Sequence, residues 1–291
     1  MRAPVATPAI ANTDAFAFVQ SLATELSGGK VELPSFPDVA IRVRKVLADE
    51  KTTLEQVVRV VGSEPALAAR LLKMANSAAF SRGKAVTDLR TAINRMGYNM
   101  VRSAAMSFAM AQIRQAESLQ SIKPMLEDLW KQSIQVAAVA YVLARNFTQR
   151  NPDEALLAGL LHGIGKLYIL TRTAKHPALF EDQASLQALL RDWHASIGKA
   201  ILENWELPAE VCEAVADHED IQRDHRGTPD LTDLVTVAVM MAAYAEHPSD
   251  LELNMQGIKS FHRLGLDGQK AQLVMQEMQT EVVAMRDALG A

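Results

Sequence analysis

The sequence predicts an all-α protein, and three observations carry that reading. Alanine, leucine, methionine, glutamate, glutamine and arginine dominate while aromatic residues make up only 5% of the chain, a composition that favours helix over strand. No stretch shows sustained period-2 alternation flanked by hairpin turns. Capped apolar segments with helical spacing instead follow one another along most of the 291 residues. With 49% hydrophobic and 22% charged residues, the chain can bury one large core or two smaller ones and carries no signature of disorder.

The elements justify themselves in order. Asp14 to Leu26 has weak amphipathic spacing and ends in Ser27-Gly28-Gly29, so residues 1–30 read as an N-terminal extension. Leu33-Pro34-Ser35-Phe36-Pro37 is a rigid lead-in to a helix carrying Val39, Ile41, Val43, Val46 and Leu47 and ending near Asp49. Thr53-Leu54-Glu55-Gln56 forms a capping box for the next helix, which Gly62 stops. Pro65 opens a third helix that runs to Ala78, and Leu89 to Met96 and Asn99 to Gln112 form two more joined at Gly97. The pattern relaxes around Ser118 to Pro124, which sets the boundary between a half at 31–124 and a half at 125–291. A long helix follows at Leu126 to Phe147. Asn151, Pro152 and Glu154 then supply a cap, a first-turn proline and a capping-box partner for one buried helix, Glu154 to Leu170. Helices at Leu186 to Trp193, His194 to Trp205 and Pro208 to His218 complete the readable pattern.

Several of these phrases resemble a known family. LLAGLLHGIGKL, at the centre of Glu154 to Leu170, is similar to the LLHDIGKL signature of HD-type metal-dependent phosphohydrolases, with Gly163 where the defining aspartate stands. LPSFPDVAIRV, SEPALAARLLKMANSAAF, VTDLRTAINRMGYNMVRSAAM, LWKQS and HASIGKAILENWELP followed by DHED resemble, in order and spacing, the HDOD domain, the HD-related output domain of bacterial signalling proteins. The resemblance covers about Val31 to Asp220. It implies an HD-like helical bundle packed against a smaller N-terminal helical subdomain.

An active HD enzyme needs histidines and aspartates converging on one or two cations, so that a bound water becomes acidic enough to attack a phosphoester. Carried over position by position, the resemblance places Gln132 at the first histidine, His162-Gly163 at the His-Asp pair, and His194 and His218 at later ligands. The distant helix, VTVAVMMAAYA, offers no aspartate. Neutral imidazoles alone lack the anionic oxygens that bridge two cations, so the expectation is no catalytic residue and no resident cofactor. If a metal binds at all, His162, His194 and His218 would hold a single zinc ion with a water in the fourth position. The preferred reading takes His162 and His194 as core histidines bonded to backbone or to neighbours such as Gln132. His176, His225, His247 and His262 lie beside prolines, charges or turns and read as surface residues.

Charge is unevenly placed although the net value is only −4. Arg70, Lys73, Arg82, Lys84, Arg90, Arg95, Arg102 and Arg114 face a single Asp88 between Pro65 and Gln115, whereas residues 203–252 are strongly acidic. The first seven of these cations form a candidate patch for an anionic partner, such as a nucleotide, a nucleic acid or an acidic protein surface. The Leu89 to Met110 region could mimic a helix-turn-helix, but no aromatic residues interleave for base stacking. A Gly-rich phosphate loop, a nucleophile elbow and paired cysteines are absent, and no Gly-Tyr-Pro triplet suggests the cyclic-dinucleotide branch of the superfamily. The single Cys212 reads as a packed thiol in a reducing compartment. Prolines and polar residues interrupt the N-terminus, and the central apolar run contains His162 and Lys166. These features give the expectation of a soluble cytoplasmic protein with no membrane contact. The function expected is a non-catalytic signalling or regulatory module that binds an unidentified protein partner. The alternatives are a residual metal-dependent phosphohydrolase and a basic half that binds nucleotide or nucleic acid.

Overall fold

The structure is a computed structural model that describes residues 13–28, 37–49, 51–80, 83–173 and 182–289. No strand occurs among the described residues. The predicted lead-in at 33–37 lies largely outside them, as do Arg82 and His176.

α1 (Thr13–Ser27) lies in the N-terminal extension, and the half at 31–124 comprises α2 (Asp38–Ala48), α3 (Leu54–Gly62), α4 (Pro65–Ala75) and α5 (Leu89–Gln115). The predicted capping box is present: Thr53 accepts from the Gln56 amide while the Gln56 side chain accepts from the Thr53 amide at 2.7 Å. α4 stops at Asn76, earlier than the sequence suggests, because the Asn76 side chain bonds Leu72 O and both backbone groups of Val86 and so pins the following loop. α5 breaks at Gly97, where φ is 77° and ψ is 166°, a conformation that only glycine adopts without strain. The two helices expected on either side of Gly97 are therefore what the backbone shows.

A 3₁₀ turn, Glu117–Ile122, leads into α6 (Lys123–Phe147), the axis of the molecule. α6 packs along α7 (Pro152–Leu161), α11 (Leu231–Ala243) and the C-terminal helix α14 (Gly268–Leu289). The crossing with α7 is backbone against backbone: a Cβ at Gly159 would stand 2.8 Å from Ala137 Cα. Around this axis lie α8 (Ile164–Thr173), α9 (Gln183–Asn204), α10 (Ala209–Asp217), α12 (Pro248–Asn254) and α13 (Lys259–Arg263). One hydrophobic cluster runs from Phe18 of α1 to Ala288 of α14.

Two expectations about single elements are corrected. Glu154 to Leu170 is not one helix, because the chain turns at His162-Gly163 and restarts as α8. His162 Nδ1 bonds Gly159 O at 2.7 Å, so a side chain competes for the carbonyl that the next helical amide would use, and Gly163 adds little helix propensity. Glu154 does not close a capping box either; the Asn151 side chain accepts from the Asp153 amide, and Glu154 accepts from Asn99 of α5. Conversely, the two helices expected on either side of His194 are one, α9. The apolar stretch Pro152–Thr173 has the length and composition of a membrane span, yet 89% of its apolar window is buried inside the protein.

Candidate functional site

Two helix ends and the interior of a third helix bring the site together. His162 caps the C-terminus of α7, His218 caps that of α10, and His194 lies within α9. All three are buried, at 1%, 2% and 0% exposure. Their rings meet edge to face, His162 to His218 at 5.5 Å between centroids and His194 to His218 at 5.4 Å. His218 therefore stands between the other two.

Backbone contacts orient the two capping histidines in the same way. Nδ1 of His162 donates to Gly159 O at 2.7 Å, and Nδ1 of His218 donates to Val215 O at 2.8 Å. Each Nε2 is left buried, with a lone pair and no hydrogen-bond partner among the described residues. His194 Nε2 lies 3.2 Å from Glu219 Oε1, while its Nδ1 has no partner among the described residues. The same Glu219 oxygen is 3.7 Å from Lys166 Nζ and 3.9 Å from His218 Nε2.

Burial pushes the pKa of His162 down to about 3 and that of His218 down to about 4, and in each case the neighbouring imidazoles and Lys166 add to the effect. Burial opposes ionisation of Glu219, but His194, His218 and Lys166 outweigh it and hold the carboxyl near 2. At neutral pH His162 and His218 are thus neutral and Glu219 is ionised.

Glycines set how closely the elements approach. A Cβ at Gly165 would lie 1.9 Å from His194 O, so α8 rests directly on the backbone that carries the histidine. A Cβ at Gly163 would lie 2.8 Å from Leu129 Cδ1 and 3.6 Å from Ser133 Oγ, so position 163 faces α6. Ser133 Oγ is itself buried without a partner among the described residues. Gln132, the neighbouring residue on α6, is partly exposed, and the bond of His162 goes to backbone rather than to Gln132.

His194, His218 and Glu219 present ligand atoms that all lie within 4.8 Å of one another. Sequence reasoning put His162 in such a set and missed Glu219. The signal was the acid beside His218 in DHED. This donor set, with unpartnered imidazole nitrogens, fits one cation of zinc type. It does not fit two, because Gly163 supplies no bridging oxygen and α11 carries Val239, Met240 and Met241 rather than an aspartate toward its C-terminus.

A second group, His225, Asp230 and Asp233, also has ligand atoms within 4.8 Å of one another. It corrects the reading of His225 as a surface residue: His225 Nε2 bonds Asp233 at 2.8 Å. Asp233 is fully buried and also accepts from Ser260 at 2.6 Å and from Arg263 at 3.1 Å, while Arg223 pairs with Asp230. Guanidinium groups already supply the positive charge there, so the network ties α11 to α13 and to the loop before α11. Cys212 is a packed thiol: it is buried, contacts Leu207 O, and burial pushes its pKa up to about 11.

Three of the seven cations in the candidate patch are bonded within the molecule. Arg90 pairs with Glu55, Arg95 donates to Lys84 O, and Arg102 donates to Leu47 O and to Asn99. Lys73 and Lys84 are exposed, and Arg70 is half-buried.

Comparison with known proteins agrees with this fold. An uncharacterised protein of Treponema pallidum (strain Nichols) is 24% identical over 92% of this chain, and the chain spans about half of that relative, 53% of its length. A crystal structure from Shewanella amazonensis SB2B, provisionally named a metal-dependent phosphohydrolase, is 27% identical with a TM-score of 0.70, covering 93% of this chain and 100% of that one. One from Marinobacter aquaeolei VT8, provisionally named a signal transduction protein, is 21% identical with a TM-score of 0.61, covering 97% of this chain and 67% of that one. The model of the HDOD domain matches residues 33–221, which include α2 to α10 and all three site histidines, and the chain therefore belongs to the HDOD domain family.

Proposed function

We propose that this chain is a cytoplasmic signalling module that acts by contacting a partner protein and does not catalyse phosphoester hydrolysis. The observation that carries this reading is Gly163. At the position facing α6, where an HD enzyme holds a carboxylate, the chain has no side chain, and the neighbouring volume is taken by Leu129 and Ser133. Without that oxygen two cations repel each other unbridged, so a dinuclear hydrolytic centre has no chemical basis. The buried histidines then serve the core that joins α7, α9 and α10. The names of the similar structures, one a signalling protein and one a phosphohydrolase, are compatible with a signalling module descended from a hydrolase fold.

A second reading has its own observation. The unpartnered Nε2 atoms and the ionised Glu219 support a single bound cation at His194, His218 and Glu219, with a water that the metal would acidify. One experiment separates the two. Protein purified without an affinity tag from cells supplied with zinc, manganese and iron is assayed for bound metal and for turnover of phosphodiesters, pyrophosphates and nucleotides, beside a His194→Gln/His218→Gln variant. The proposal expects no turnover above that of the variant. Metal-dependent turnover that vanishes in the variant establishes the enzyme instead.

A further inference from the structure

α1 sits on a surface that selects a helix of one particular pattern. Phe18, Val19 and Leu22 are buried against the body of the protein, and α1 packs on α9. Ala17, Gln20, Ser21 and Thr24 face solvent. Three residues beyond Leu22, Glu25 turns toward α8, where its Oε2 accepts from the Tyr168 hydroxyl and pairs with Arg172 Nη2, each at 2.7 Å. Tyr168 is fully buried, and Arg172 lies over its ring with Cζ 5.0 Å from the centroid. The two residues stand one helical turn apart on α8, so a phenol and a guanidinium converge on one carboxylate. Arg172 Nη2 also donates to the Tyr168 oxygen at 3.5 Å. Without a carboxylate at this point the buried phenol would therefore lose the acceptor for its own proton, which is unfavourable.

α1 holds this place on a narrow footing. It has 15 residues, and isolated helices of about 12–15 residues are marginal in water, so α1 owes its order to this contact. It precedes the family region at residues 33–221, whereas α8 and α9 lie inside that region. The receiving surface thus belongs to the domain, and the helix seated on it does not. A short helix near a chain end, held by one apolar stripe and one ion pair, belongs to the part of a protein that opens locally while the rest stays folded. Opening uncovers an apolar stripe that ends in a fork for a carboxylate, the form of a helix-in-groove site.

We propose that this face of α8 and α9 is where the partner protein docks, and that α1 occupies it as an internal competitor. The partner element is an amphipathic helix with apolar residues at i, i+1 and i+4 and an aspartate or glutamate at i+7, the pattern of Phe18, Val19, Leu22 and Glu25. A basic segment is disfavoured because the polar end of the face is cationic. The inference rests on the partner-binding reading above and adds the surface, the chemistry of its occupant and a control. Tethered α1 lowers the apparent affinity for the partner by the fraction of molecules in which the face is open, so release of α1 strengthens binding.

The test uses the full chain and, as probe, a fluorescently labelled peptide of residues 13–28. Leu22→Asp removes an apolar contact of α1, and Glu25→Gln weakens its ion pair while leaving every apolar contact in place. Fluorescence anisotropy should show the peptide binding at least about tenfold more tightly to the Leu22→Asp protein than to the parent, with a smaller gain for Glu25→Gln. Adding Arg172→Met to Leu22→Asp should cost about tenfold or more, as should Glu25→Gln within the peptide, because each removes a charge-assisted pair. Circular dichroism should show that both single variants still melt cooperatively. The proposal is overturned if both variants fold and bind the peptide no better than the parent, or if Arg172→Met leaves peptide binding unchanged. It is overturned as well if Leu22→Asp unfolds the whole chain while Glu25→Gln gains no affinity, which makes α1 a fixed part of the core. A dimer of the parent protein that dissociates in Leu22→Asp assigns the face to α1 of a second copy and likewise overturns it. None of these results depends on turnover. Absence of peptide binding without metal-dependent turnover moves the partner to another surface, whereas metal-dependent turnover overturns the signalling reading itself.

Discussion

Burial pushes the imidazoles of His162 and His218 down to about 3 and about 4, against an ordinary value of 6.5, and that displacement has a signed consequence for stability. In the unfolded chain both residues take up protons as the pH falls through 6.5, while in the folded protein both stay neutral until about 4 and about 3. The unfolded state therefore binds more protons in this window, and the stability that is complete above about pH 6.5 is lost as the pH falls toward 3. Glu219, held near 2, acts in the same direction below its ordinary 4.5. Metal-free protein titrated from pH 7.5 to 4 should lose stability progressively, and the slope of unfolding free energy against pH, read from denaturant melts, should flatten in a His162→Gln/His218→Gln variant. An unchanged slope in the variant would show that these histidines are not the groups responsible. At this scale the sequence was partly legible. It identified His162, His194 and His218, but not that Glu219 is the carboxylate between His194 and Lys166, nor that His225 bonds a buried aspartate. Those facts depend on which residues from distant segments meet.

Between elements, the site rests on close approach. α8 reaches α9 because Gly165 has no side chain: an added Cβ would be 1.9 Å from His194 O and 2.9 Å from Gly198 N, both rigid backbone atoms. Gly165→Ala must therefore push the two helices apart, with a cost at or above the upper end of the ~1–3 kcal/mol typical of overpacking. The check is chemical denaturation of Gly165→Ala beside Gly163→Ala, whose added Cβ crowds the end of the flexible Leu129 side chain and lies at ordinary contact distance from Ser133 Oγ. A loss at position 165 no larger than that at 163 would refute the account. The helices themselves were largely readable, since Thr53, Pro65, Gly97 and Asn151 act within one turn of their own position. The turn at His162-Gly163 and the continuity of α9 through His194 were not. The first depends on a side chain taking a helix carbonyl, and the second on packing against α8 and α10 that carries one helix past a phrase boundary.

For the whole molecule, one hydrophobic cluster spans both sides of the boundary proposed at residue 124. α5 packs on α7, and α14 reaches back to α4 and α5, so the N-terminal half is covered by elements from the far end of the chain. α1 is held in the same way: Phe18, Val19 and Leu22 are buried, and Glu25 accepts from Tyr168 and pairs with Arg172, each at 2.7 Å. Shared burial of this kind couples the halves. The full chain should unfold in a single transition, with coincident curves by circular dichroism and by tryptophan fluorescence, for which Trp130, Trp193 and Trp205 all lie after residue 124. Two separated transitions would mean that the halves fold as independent domains.

The sequence by itself determined the helical class, most helix starts, the family pattern over about Val31 to Asp220 and the glycine at position 163. All of these are carried by local signals: capping side chains, apolar spacing and residue identity within a phrase. Only the tertiary structure decided that three buried histidines meet, with the exposed Glu219 beside two of them. It also decided that the buried Asp233 accepts from Ser260 and Arg263. The physical reason is that burial and charge pairing depend on which segments become neighbours, and a linear chain does not display that information to any of its own residues.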